Sequence, residues 1–505
     1  MMPRILGRHA MALVLTLLAS RALLHAQPLD VAGAPPQSGG VESRTDAPAP
    51  REAALVPLPD DKHPERLPLF TLLGRPLAIK GQLESIFEYR KDFDLDKAAK
   101  DDLLHLTSQE LELGFFYRLS ATVGLFLQGK AAYRAGIYAE SGDRQFSWQV
   151  ERDETWLYVS NLFGSRVSLQ IGRQKFQDER EWWWDEDLDA VRVSYNQPAL
   201  HLALAVAQEV APVSTVAARI DPASEQVLRV LGHVAWGWAK EQRLQALVLY
   251  QRDHSSRPAL GQPVSAVRLD PRDADLAWFG MYANGRLLRD LLGELDYWLD
   301  SAGVVGTETL FTFDDAAGDG RQPVASRRTR QVRGWAVDLG ASWQTPLPWR
   351  PTVTVAYAVG SGERSSKRRT DGTFRQTGLQ GNEARFRGVN KFSYYGELLE
   401  PELANLHIWT AALGMRFLPS SSVELVYHHY RQVHAAPSLR NARIEAELTG
   451  LRHDVGQEWN LVIGVEEWPG IELQLVGALF RAGSAYGPRA GKTASSVVLE
   501  VNIKF

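Results

Sequence analysis

Between residues 172 and 192 the chain crowds Arg173, Lys175, Arg180 and Arg192 against Asp178, Glu179, Asp185 and Asp189, with three consecutive tryptophans, Trp182, Trp183 and Trp184, in the middle. Guanidinium forks grip carboxylates bidentately. Such a stretch serves either as a track of exchangeable sites for an anionic ligand or as a structural network of ion pairs. The tryptophans read as anchors in a headgroup layer, with stacking on sugar rings as the alternative use of the same surface. A second concentration lies farther on: Arg364, Lys367, Arg368, Arg369, Arg375, Arg385, Arg387 and Lys391 against Glu363, Asp371 and Glu383, preceded by Arg321, Arg327, Arg328, Arg330 and Arg333. A basic rim of this kind attracts polyanions. For the group at 327–330, phosphate binding or plain solvation is the simpler reading.

Covalent or metal chemistry finds little support. His428 and His429 are adjacent, and neighbours on a strand point to opposite faces, so the two cannot share one ion. His428 reads as a lone interior hydrogen-bonding residue, and His453-Asp454 has no serine near it in sequence. Glu466 and Glu467 also alternate faces. The chain contains no cysteine, which excludes a disulfide-stapled secreted fold. No enzyme and no cofactor is expected.

The elements that must position these residues are strands. From Leu77 onward the chain breaks into segments of alternating hydrophobicity at 77–90, 109–119, 121–134, 154–162, 165–175, 188–196, 199–209, 226–238, 242–252, 275–284, 290–300, 333–344, 351–361, 405–418, 422–432, 456–467, 470–481 and 495–505. The spacers alternate short and long, and every short one has six residues or fewer. That rhythm predicts an all-β, 18-stranded antiparallel transmembrane β-barrel with short periplasmic turns and long extracellular loops. The last segment, which ends on the aromatic Phe505, has the habit of such barrels. The apolar set must meet lipid. Leu111, Leu113, Tyr117 and Leu119 face out over Glu110, Glu112 and Arg118; Val123, Leu125, Leu127 and Tyr133 face out over Gln128, Lys130 and Arg134; Leu200, Leu202, Leu204 and Val206 face out over His201, Ala203, Ala205 and Ala207. Tyr89, Trp238, Tyr282, Trp343, Trp459 and Trp468 are expected in interfacial girdles. Eighteen strands enclose an aqueous lumen unless loops fill it.

The N-terminus gives the compartment. Arg4 and Arg8 precede an apolar run from Met11 to Ala19, with cleavage expected after Ala26, a Sec-type signal peptide at 1–26. Residues 27–76, rich in Pro, Ala and Asp at their start, read as a flexible N-terminal periplasmic segment ahead of a barrel at 77–505. Loss of Arg4, Arg8 and Arg21 takes the formal charge from -4 to -7, too mild for a nucleic-acid partner. The bacterial outer membrane is the expected location.

Several motifs in matching order resemble the alginate export porins. They are GRQKF at 172–176 with DER at 178–180 and LDAVR at 188–192; the stretch from Phe374 to Gln380 with Asn382, Arg385-Phe386, Gly388-Val389, Phe392 and Tyr394 to Glu397; Pro401 to Leu403 with Asn405-Leu406; and LVYHHYRQ at 425–432. The resemblance runs from about residue 80 to the end. It implies a monomeric eighteen-stranded barrel with an arginine-rich lumen that exports an anionic exopolysaccharide, an alginate-like polyuronate. An anion- or solute-selective uptake porin is the alternative. Carried onto this sequence, the motifs make Arg173, Lys175, Arg180, Arg192, Arg385 and Arg387 polyanion contacts, with Asp178, Glu179, Asp185 and Asp189 holding those arginines or setting selectivity. Arg90, Arg118, Lys130, Arg134 and Arg152 join them on strand parity or loop position alone. Outer-membrane lipid and lipopolysaccharide, and a periplasmic scaffold of an exopolysaccharide synthesis complex, are the other expected partners. The family exporter is associated with a long periplasmic turn that plugs the pore, which the short turns here do not supply. Closure would then fall to residues 27–76 or to an infolded outer loop.

Overall fold

The computed structural model describes residues 69–95, 103–138, 144–217, 219–254, 258–265, 272–314, 321–363 and 369–505. The expected signal peptide and the expected N-terminal segment as far as residue 68 lie outside them. Eighteen strands form the wall: β1 (Arg75–Lys91), β2 (Leu103–Arg118), β3 (Val123–Tyr138), β4 (Arg144–Val159), β5 (Val167–Gln177), β6 (Asp185–Gln197), β7 (Leu200–Ala207), β8 (Val227–Ala239), β9 (Gln242–Asp253), β10 (Arg272–Asp290), β11 (Gly293–Phe313), β12 (Arg321–Gln344), β13 (Thr352–Gly360), β14 (Leu406–Leu418), β15 (Ser421–Gln432), β16 (Asp454–Trp468), β17 (Ile471–Ala482) and β18 (Thr493–Lys504). Each pairs antiparallel with the next, and β18 returns to β1, with Lys504 opposite Gln82 and Ser495 opposite Lys91. Closure leaves no edge, so every wall amide has a ladder to join in a medium that offers no water. At the seam the Phe505 N–H donates to the Gly81 carbonyl at 2.9 Å, and the Phe505 ring occupies the space that the absent side chain of Gly81 leaves open. A short strand, Leu69–Leu72, folds back on the start of β1.

The faces follow the two-residue period. Leu111, Leu113, Leu204, Val206, Leu413, Leu425, Leu479 and Val497 are exposed on the outside, while His201, Ala205 and Ala207 are buried on the inside. Trp238, Trp343 and Trp468 stand exposed near strand ends, as girdle residues do. Tyr282 does not belong with them. It shares the inward parity of Trp278 and is 4% exposed, because Phe279 and Met281 take the outward positions on β10.

Two long connections prove shorter than the sequence suggests. Most of 135–153 and of 301–332 is strand: β4 begins at Arg144, and β11 and β12 pair from Glu294 opposite Gln344 up to Phe313 opposite Val324. Above the hydrocarbon an outward face needs no apolar residues, so the alternation that marks a strand disappears from the sequence while the ladder continues. Arg321, Arg327, Arg328, Arg330 and Arg333 are therefore residues of β12, not of a loop.

Candidate functional site: an occupied lumen

The β5–β6 connection leaves the wall and enters the barrel. Pairing between β4 and β5 runs only from Val159 opposite Leu169 to Thr155 opposite Arg173. Gly172, at φ +125°, lets the chain turn away there, since a Cβ would collide with the Thr155 carbonyl. Backbone from the β7–β8 connection fills the vacated place: the Arg152 N–H donates to the Val213 carbonyl at 2.9 Å and the Thr215 N–H to that of Val150 at 2.8 Å. The turn at 178–184 is built on Asp178, whose carboxylate accepts the N–H groups of Trp183 and Trp184 at 2.9 Å each, Trp182 at 3.2 Å and Arg180 at 3.3 Å. Arg180 projects to the far wall, 2.9 Å from Asp338 and 3.4 Å from Asp300, and stacks on the rings of Trp298 and Tyr394.

The described part of the β13–β14 connection, 361–363 and 369–405, fills the lumen beside it. At its outer end the Phe374 and Asn405 N–H groups donate to the Ser361 carbonyl at 2.9 and 3.0 Å. In the middle the Tyr395 hydroxyl donates to Asp338 at 2.7 Å, and the N–H groups of Leu398 and Leu399 donate to Glu458 at 2.9 Å each. At its lowest point Arg387 meets Glu294 at 2.9 Å and Asp296 at 2.6 Å, the Val389 N–H donates to Ser422 at 2.9 Å, and Asn390 donates to Gln474 at 3.1 Å. Those partners sit at the periplasmic ends of β11, β15 and β17, so the loop reaches from one mouth of the barrel to the other and back. Phe374, Phe386, Phe392, Tyr394, Tyr395, Leu398, Leu399 and Leu403 are all buried along it.

The two infolded segments bind each other. Thr377 donates to the Trp183 carbonyl, Gly381 and Asn382 donate to that of Glu181 at 3.0 and 2.9 Å, and Trp182 donates to the Tyr395 hydroxyl at 2.8 Å. Burial, with Asp185 beside it, pushes the Glu181 carboxyl up to about 7, although Lys391 contacts it. Burial likewise pushes Glu397 up to about 8, with Glu458 and Glu400 adding to the effect. The connection 433–453 lies against the β13–β14 connection: Ile444 and Leu448 are buried, the Arg443 N–H donates to the Leu399 carbonyl at 3.0 Å, and that of Glu445 to the Phe93 carbonyl at 3.1 Å.

The cations named from sequence fall into three groups. Arg180 and Arg387, on the infolded segments, are held by carboxylates of the wall, and Arg192 stacks on Phe176 and donates to the Lys175 carbonyl at 3.3 Å. Lys175, Arg90, Lys130, Arg134 and Arg152 form ion pairs along the wall, with Asp185, Glu88, Glu110 and Asp189 among the partners. Arg118, Arg173 and Arg385 form no ion pair among the described residues: Arg118 is exposed at the periplasmic end of β2, Arg173 lies in the field of Glu186, Asp189 and Glu209, and Arg385 is exposed in the lower lumen in the field of Glu466.

Three sequence expectations change. The tryptophans do not anchor in headgroups; Trp182, Trp183 and Trp184 are 2%, 1% and 3% exposed, because Asp178 folds their backbone inward against Phe374 and its neighbours. Asp178 serves backbone amides rather than an arginine side chain, and Glu179 meets Asn284 at 2.6 Å and Arg243 at 3.8 Å, neither of them an expected partner. Arg364, Lys367 and Arg368 lie outside the described residues. Asp300, Asp338, Glu308 and Glu458 were not foreseen, though a lone acid at inward parity in an apolar strand, as in the run 336–339, was a usable signal. His428 is buried and paired with Thr410 at 2.9 Å, as expected.

Known proteins agree with this architecture. The alginate production protein AlgE of Pseudomonas aeruginosa is 27% identical over 348 residues, covering 64% of this chain and 68% of that protein. The protein of the same name from Pseudomonas syringae pv. tomato is 23% identical, covering 58% and 60%. The crystal structure of Acinetobacter baumannii OccAB2 superposes with a TM-score of 0.51 at 10% identity over 85% of this chain and 98% of that one, a likeness of fold alone. A closed barrel with an apolar outer belt of this kind is an outer-membrane protein. The family described as alginate export matches residues 75–500, a span that takes in the wall and every infolded segment, and the chain belongs to that family.

Proposed function

We propose that the protein is an outer-membrane channel that exports an anionic polysaccharide of the polyuronate class, passing between the infolded segments and the wall formed by β1 to β4 and β18. The observation that carries this reading is that three of the cations singled out from sequence form no ion pair among the described residues: Arg118 and Arg385, which are exposed, and Arg173, which is buried with its Nε unsatisfied. Each uronate brings one carboxylate, and cations spread along a passage offer several weak sites rather than one trap. Conduction needs attraction strong enough for entry and weak enough for exit. The half-exposed wall pairs, Lys130 with Glu110 at 3.3 Å and Arg134 with Glu110 at 2.9 Å, can exchange partners in the same way. A monomer suffices, and a scaffold on the short-turn side would deliver the polymer across the periplasm.

The second reading, an uptake porin for small anions, draws on the depth of the plug, since a loop reaching Glu294 and Gln474 narrows the passage along its whole length. Single-channel conductance and reversal potential of the purified protein in a planar bilayer under a salt gradient, with and without oligouronate, separate the two. Anion selectivity with block by oligouronate supports the exporter. A current that oligouronate leaves unchanged while small anions pass overturns it in favour of the porin.

A further inference from the structure

Among the described residues, Glu308 gathers more guanidiniums than any other acid. It is on the inner face of β11, in the part of the β11–β12 hairpin that rises above the membrane, and it is 1% exposed. Four guanidiniums from four separate elements converge on its two oxygens: Arg330 of β12 at 3.0 Å, Arg375 of the plug at 3.1 Å, Arg440 of the overlying connection at 3.7 Å and Arg272 of β10 at 3.9 Å. Two further acids complete the cluster. Asp371 accepts from Arg375 at 2.7 Å and Arg330 at 2.8 Å, and Glu402 accepts from Arg440 at 3.0 Å.

Four guanidiniums meet three carboxylates here, and Glu308 and Asp371 are shared rather than paired one to one. The cluster also spans the joint between two otherwise separate pieces. Arg375 and Glu402 belong to the plug at 361–405, whereas Arg440 belongs to 433–453, which closes over it. On the far side that same connection is held to β1 by Arg443, 2.5 Å from Glu88. The overlying connection packs Leu439, Ala442, Ile444, Ala446 and Leu448 against the core and is further fastened by carboxylate–guanidinium pairs and backbone hydrogen bonds.

We propose that Glu308 is the latch of an outer gate: by sharing one carboxylate among wall, plug and the 433–453 lid, it holds the lid over the lumen, and carboxylates of a polyanion in transit displace it. The proposal deepens the export reading and rests on it for the nature of the displacing ligand. The exchange swaps one carboxylate for another at the same guanidiniums, and Glu308, released from them, is solvated by the water that enters as the lid lifts, so the mechanical link between lid and wall is lost. Glu308 acts through Arg440 and Arg375 and is a positioning residue.

The test is potassium chloride current through single channels in planar bilayers, which does not depend on which polymer is exported. Glu308→Gln leaves the arginines with two acids; the expected result is a several-fold rise in open probability. Arg440→Gln, on the lid, should give the same rise, and the double variant no more than either alone. Because the chain lacks cysteine, Thr449→Cys with Ala485→Cys, whose backbones are joined at 2.9 Å, provides a reversible tether that should cut the current until a reductant restores it. In the wild type, oligouronate added to the face of the long connections should raise open probability before it blocks, and this early rise should vanish in E308Q. Folding of each variant is checked by heat-modifiable mobility in SDS gels; if E308Q fails to fold, R440Q and the tether decide. Wild-type open probability in folded E308Q or R440Q, or current indifferent to the tether, overturns the latch while leaving anion selectivity and uronate block to judge the export reading separately.

Discussion

The two halves of the lumen use the same residue types for opposite ends. On β12, β15 and β16 the inward acids Asp338, Glu424 and Glu458 are fully buried against polypeptide: Asp338 takes Arg180, Tyr395 and Trp298, Glu458 takes the amides of Leu398 and Leu399, and Glu424 has Gly388 against it. On β2 and β4 the acids Glu110 and Glu151 pair with wall cations and stay partly in solvent; the Lys130 and Arg134 side chains are 21% and 53% exposed. Burial decides the role. A carboxylate that has given up water must keep its partner, since leaving the other charge buried and alone is costly, whereas a half-exposed pair loses little on separation. One half of the barrel is therefore a socket and the other a surface along which ions can change partners.

The sharpest way to break that contrast is Asp338→Ala. It leaves the buried Arg180 with Asp300 alone and Tyr395 and Trp298 without their acceptor, and should cost about 3–5 kcal/mol, read as a lower temperature for conversion of the folded to the heat-denatured band, together with a large rise in conductance. Trp183→Ala empties a fully buried ring position in the same socket, and about 3–5 kcal/mol is expected in the same assay. If either variant keeps wild-type thermal behaviour, the plug is not fastened where these contacts place it.

Acidity offers a milder test. Glu181 and Glu397 have pKa values raised by burial, to about 7 and about 8, above the ordinary glutamate value of 4.5. A group whose folded pKa is raised favours the folded arrangement most below its unfolded pKa and loses that contribution as pH climbs through the folded one. The plug should thus be held most firmly near pH 4.5 and loosen between about pH 7 and 8. Conductance measured from pH 5 to 9 should rise across the upper part of that range, and Glu397→Gln should flatten the rise.

The exposed half predicts smaller effects. Arg385→Glu should shift the anion-to-cation permeability ratio by about two- to threefold with no change in thermal stability, because that side chain stands in the passage and fastens nothing. Glu110→Gln should change stability by less than about 1 kcal/mol. A loss there as large as that of Asp338→Ala would erase the distinction between socket and surface.

Much of the wall was legible in the sequence. Strand number, order and facing follow from one physical fact, that lipid forces an apolar residue at every second position, and Leu200 to Val206 state it plainly. Where the strands leave the lipid the rule lapses, which is why β4 and the tops of β11 and β12 read as loops. The site was harder. Lys175 with Asp185 and Arg152 with Asp189 join residues that local pattern or motif had already singled out. Arg180 with Asp338 joins residues 158 positions apart, and nothing local to either indicates the other. The tryptophan triplet misled because ring surface suits a headgroup layer and a packed core equally well; what settled its place was Asp178, a single acid whose four backbone contacts turn the chain inward.

The seam has a bearing on how the molecule is made. Gln82 and Asn502 meet across β1 and β18 although 420 positions separate them, so the wall cannot be sealed until nearly the whole chain is present. Until then both terminal strands expose unpaired amides, and long-range pairing of this kind is slow because the entropy of bringing the ends together is spent before any contact repays it. The plug shares the timetable. Since 361–405 is bound to wall strands on several sides, it must settle into an open half-shell or slide in from the outer mouth after closure, and the order of those two events is set by the last strand to arrive.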